Sequence, residues 1–125
     1  MPNSAIILVI VAGLLGACGV ALAAAAAHVS DSTALRAAAE IAMVHAAALI
    51  GLLAMSRHST SPVYWMIAAS MMALGATLFA GTVALGVLAD FRPLPALAPI
   101  GGSLTILSWL AVIVAALLEW LRSKP

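Results

Sequence analysis

Long apolar stretches separated by short polar breaks run the length of the chain, and the pattern repeats four times. Apolar residues fill about Ser4 to Ala27, Leu35 to Met55, Tyr64 to Leu88 and Ile100 to Leu121. Each stretch is long enough for a helix crossing a hydrocarbon core of ~30 Å, which takes roughly 20 residues. The breaks carry helix punctuation. "SDST" offers helix N-caps at Ser30 to Thr33. "SRHSTSP" ends in Pro62, and "ADFRPLPALAP" holds three prolines, of which Pro99 suits the first turn of a fourth helix. Breaks this short predict an all-α membrane protein: four transmembrane helices in an up-down-up-down bundle, one integral membrane domain over residues 1–125.

Composition sharpens this picture. Of 125 residues, 66% are hydrophobic and only 7% charged, too few charges to cover a soluble domain of this size. The formal net charge of +1 gives no reason to expect a nucleic-acid partner. "MPNS" has no Lys or Arg, and the run from Ala5 to Ala27 is longer than a signal core, which predicts an uncleaved helix rather than a leader. Cys18, the single cysteine, rules out an intrachain disulfide and reads as a small buried hydrophobe.

Basic residues set an expected direction. Arg57, Arg122 and Lys124 fall on the side of the termini, against Arg36 and Arg92 on the other. This favours cytoplasmic termini and, as an address, a bacterial inner (plasma) membrane. Tyr64, Trp65 and Trp120 are expected as aromatic anchors at that interface. Lipid gives no hydrophobic push between helices, so packing must come from close backbone approach. Small residues four apart supply it: Gly13, Ala17, Ala21 and Ala25; Ala34, Ala38, Ala42 and Ala46; Ala69, Ala73, Thr77 and Gly81.

Several motifs resemble one family. "MALGATLFAGTVAL", Met72 to Leu85, is similar to the third-helix signature of the domain of unknown function 423, a group of small four-helix membrane proteins that includes transmembrane protein 256-like chains. "APIGG", Ala98 to Gly102, resembles that family's Thr-Pro-Ile-Gly-Gly start to the last helix, and Ser108-Trp109 stands near its Gly-Trp pair. "EIAMVHAAAL", from Glu40, resembles its acidic or amide residue followed five positions later by histidine. "AAAAAH", Ala23 to His28, fits best where relatives end the first helix with Gly-Ala-Phe-Gly-Ala-His. The rival placement, "GACGVA" at Gly16 to Ala21, puts Ala21 at the histidine. The resemblance implies a fold and a membrane address, and no activity.

Ionisable groups within a span are the candidates for function, and here they are His28, Glu40 and His45. At ~1.5 Å rise per residue, His45 lies about 16 Å deep, Glu40 about 24 Å and His28 about 36 Å along its own helix. A gap of about 20 Å between the histidines argues against one shared metal, whose ligands lie ~2 Å from it. No metal and no cofactor is expected. Arg36 and Glu40, four apart, suit an ion pair. His28 reads as an interfacial residue ending a helix. His45, flanked by Ile41, Ala42, Ala48 and Leu49, has nothing local to satisfy it and must find a partner on another helix, such as Thr77, Thr82, Ser70, Thr105, Ser108 or a backbone carbonyl. It is either a structural staple or a site for a proton, metal ion or small apolar molecule. No nucleophile-and-base set or phosphate loop points to an enzyme, and no catalytic residue is expected. The expected role is that of a structural or interaction subunit in a homo-oligomer or larger membrane complex. The alternative is a transporter or ligand-binding protein using His45.

Overall fold

Four long helices account for nearly all of the backbone in the computed structural model, which describes residues 1–92 and 95–124. They are α1 (Asn3–Ala25), α2 (Thr33–His58), α3 (Pro62–Leu88) and α4 (Leu97–Arg122). All four are long and apolar enough to cross a membrane, and among the described residues there is no strand.

Local chemistry sets the helix ends, which is why the helices outrun the apolar windows by a few residues. The Ser32 side chain accepts the Leu35 N–H at 3.2 Å, so α2 starts at Thr33 rather than at the first leucine. Pro62 occupies the first turn of α3, where its missing N–H costs nothing. Pro99 lies likewise in the first turn of α4, while Pro93 of the same break lies outside the described residues. α1 widens after Ala25 into a π-helical turn, Ala26–Ser30, closed by Asp31 in the left-handed region at φ 41°. Aspartate tolerates that conformation better than most side chains, and Asp90 at φ 48° follows α3 in the same way.

The helices pack in sequence: α1 on α2, α2 on α3, α3 on α4, with α1 also touching α3. The α4 backbone stays away from α1 and α2. Two close approaches hold the neighbours together. At Gly19 a Cβ would stand 3.1 Å from the Ala39 carbonyl oxygen, so α1 lies directly on α2. At Gly101 a Cβ would come within 2.5 Å of the Phe79 nitrogen, and at Gly75 within 2.7 Å of the Thr105 nitrogen. α3 and α4 therefore meet backbone to backbone, as small-residue packing in lipid requires.

The small-residue stripes hold in part on α2 and α3 and fail on α1, and Ala34, the first residue of the α2 stripe, is exposed. Ala38, Ala42 and Ala46 of α2 are buried, as are Ala69 and Ala73 of α3, but Thr77 is exposed. On α1, Gly13, Ala17 and Ala21 face outward, and the packed face is Ala5, Leu8, Ala12, Leu15 and Gly19. Spacings of three and four mixing leucine with small residues fill the gap to α2 better than four-residue steps of alanine, which drift around the helix. Cys18 lies on the outward side and is exposed, not buried. Large side chains such as Ile7, Leu14, Ile106 and Ile113 are also exposed. A water-soluble monomer rarely presents so continuous an apolar surface.

Candidate functional site

His45 is the one ionisable candidate that the fold buries, at 4% exposure. Its Nδ1 lies 2.6 Å from the Ile41 carbonyl oxygen, one turn back on α2. Its Nε2 lies 3.1 Å from Nε1 of Trp109 on α4. The partners assign the proton: a carbonyl only accepts and an indole N–H only donates, so Nδ1 donates and Nε2 accepts. Both ring nitrogens are thereby occupied with the imidazole neutral. The two rings meet edge to face, with centroids 5.9 Å apart and planes at 66°, a favourable aromatic geometry. This contact bridges α2 and α4, whose backbones do not meet.

Three of the hydroxyl partners named from the sequence are used elsewhere. Thr105 donates to the Gly101 carbonyl at 2.8 Å, Ser108 to Thr105 at 2.6 Å and Ser70 to Met66 at 2.8 Å. Short hydroxyl side chains close such bonds on their own helix, and so they do not reach across. One partner of His45 is a backbone carbonyl, as the sequence allowed, but it is that of Ile41 on the same helix rather than on another one. Trp109 was missed although a signal existed. His45 and Trp109 each stand at the midpoint of a 26-residue helix, so two helices spanning the same membrane place them at one depth.

The other candidates do not join this site. His28 sits in the π-helical turn after α1 and is exposed. Glu40 is exposed on α2, and it does not pair with Arg36. Arg36 instead reaches back to Asp31 at 2.6 Å, because the left-handed Asp31 brings its carboxylate over the first turn of α2. Among the described residues no three His, Cys, Asp or Glu side chains gather at one point.

A second polar cluster, unforeseen in the sequence, lies at the α2–α3 turn. Glu119 on α4 accepts from the Ser59 hydroxyl, and from both the N–H and hydroxyl of Thr60 at 2.9 Å each. Arg122, one turn on, donates to the Ser61 hydroxyl and lies over the Tyr64 ring, 5.4 Å from its centroid. Lys124 sits 3.6 Å above the Trp120 ring. Trp65 is buried at 5% exposure rather than standing as an interfacial anchor, since it faces the helix core where α3 begins. The cluster is a latch that fixes the end of α4 to the turn between α2 and α3.

A family model described as "Protein of unknown function (DUF423)" matches residues 15–102. The chain belongs to the DUF423 family. The DUF423 match takes in His28, Glu40, His45 and the Gly75–Gly101 approach, whereas Trp109, Glu119 and Arg122 lie beyond it. No curated protein and no solved structure matches the chain.

Proposed function

We propose that this DUF423 chain is a non-catalytic structural or interaction subunit of a membrane. In this reading its helices run up-down-up-down, both termini face the cytoplasm across a bacterial inner membrane, and the surface packs into a homo-oligomer or a larger complex. The observation that carries the proposal is the double engagement of His45 by Ile41 and Trp109. A histidine that bound a metal ion or haem, or that relayed protons, would offer a free ring nitrogen. Here the ring fastens α4 to α2. The alternative of a transporter or ligand-binding protein that uses His45 for a proton, metal ion or small apolar molecule would first have to break one of these bonds.

Gentle extraction followed by native mass spectrometry and metal analysis tests the proposal. The expected result is an assembly of more than one chain without stoichiometric metal or chromophore. A lone 12.6 kDa chain carrying one equivalent of metal or haem, lost on His45→Ala, would favour the alternative.

A further inference from the structure

A slot of about 440 Å³ opens where the start of α1, the end of α2 and the start of α3 diverge. Its walls are apolar, formed by Ala5, Val9, Ile50, Leu53, Pro62 and Met66, and Ala54 offers only a methyl group toward it. Arg57 stands at its rim. Of the arginines and lysines around this turn, Arg122 is held by Ser61 and Tyr64, and Lys124 by Trp120. Arg57 is exposed and makes no hydrogen bond or ion pair among the described residues. The carboxylate beside the turn, Glu119, is already taken up by Ser59 and Thr60.

An uncommitted guanidinium over an apolar slot at the end of a membrane span is complementary to one kind of molecule. We propose that the slot holds an acyl chain of an anionic phospholipid, with Arg57 binding the head-group phosphate. Guanidinium matches phosphate with paired N–H donors, and a long arginine stem reaches the head-group layer while its carbons lie along apolar walls. A crevice of similar size, about 450 Å³, between α1 and α3 is lined by Leu14, Cys18, Thr77 and Leu85 with no charged side chain. That crevice accepts any chain without choosing a head group. The pocket that holds Arg92, near the start of α2, is smaller, about 290 Å³, so the Arg57 slot is the roomier of the two that pair apolar walls with an arginine.

The test is native mass spectrometry of the full chain released from mixed bilayers with equal parts phosphatidylglycerol and phosphatidylcholine. The wild type is expected to retain phosphatidylglycerol about fivefold over phosphatidylcholine, the factor that one basic group near a membrane surface supplies. Arg57→Gln abolishes the preference, Arg57→Lys keeps most of it, and Arg36→Gln, at an arginine already paired with Asp31, leaves it unchanged. Ala54→Trp fills the slot and removes the adduct; if that variant fails to fold, the exposed Arg57→Gln exchange still decides. No preference in the wild type, or an equal preference in Arg57→Gln, overturns the proposal. Displacement of the lipid by millimolar inorganic phosphate would also overturn it, marking a plain anion site. So would a change of oligomeric mass in Ala54→Trp without loss of lipid, which would assign the slot to a second copy.

Discussion

The residues that matter most in this chain are those whose hydrogen bonds leave their own helix. Glu119 accepts three bonds from Ser59 and Thr60, two of them from side chains and one from a backbone N–H. Glu119→Ala removes these bonds at the α2–α3 turn and is expected to lower the unfolding midpoint in detergent. The Arg36–Asp31 pair is a contrasting case, with both side chains mostly exposed at 55% and 90%. Exposed pairs contribute little, so Arg36→Ala should shift the same midpoint by less than about 0.5 kcal/mol. The sequence shows that His45 needs a partner, but not which one. Thr105 and Ser108 are polar and in the right half of α4, yet each satisfies itself one turn back. Trp109 is hydrophobic by composition, and its single N–H is easily passed over. The Ser59–Thr60 run was legible as a polar break, and its role as a carboxylate cradle was not, because the carboxylate lies some sixty residues away.

At the scale of elements, the four spans were legible because hydropathy alone dictates them, and Ser32, Pro62 and Pro99 mark helix starts in plain view. Which face of each helix packs was less so. On an alanine-rich helix several stripes look equally small, and only the partner decides between them. Thus Gly13, Ala17 and Ala21 face outward, while Gly19 touches α2. Gly75 and Gly101 share one backbone contact. Gly101→Ala is expected to force α3 and α4 apart at a cost of about 1–3 kcal/mol, as overpacking does. Gly51→Ala, where a Cβ meets nothing within 4 Å, should be neutral or slightly stabilising through helix propensity. A thermal melt of the two variants side by side checks the pair, and equal melting points would sink this reading of the α3–α4 contact.

For the whole molecule, the arrangement is a helical core of α1, α2 and α3 with α4 fastened along one side. α4 has three attachments: the glycine approach to α3, the Glu119–Arg122 latch at one end and the Trp109–His45 bond midway. Because the α4 backbone stays away from α1 and α2, the midway bond is what ties α4 to the middle of α2, as the latch ties it at the α2–α3 turn. That makes His45 a fastening, and the account stands or falls on it. The most direct measurement is a double-mutant cycle of His45→Ala and Trp109→Phe, read by reversible unfolding of the full chain in one detergent. If the two rings fasten α2 to α4, the single variants lose stability and the double variant loses no more than the worse single. The coupling should then be about 0.6–1.7 kcal/mol, the range of hydrogen bonds between membrane helices. Strictly additive losses, or a Trp109→Phe variant as stable as the wild type, would contradict it and leave His45 free for other chemistry.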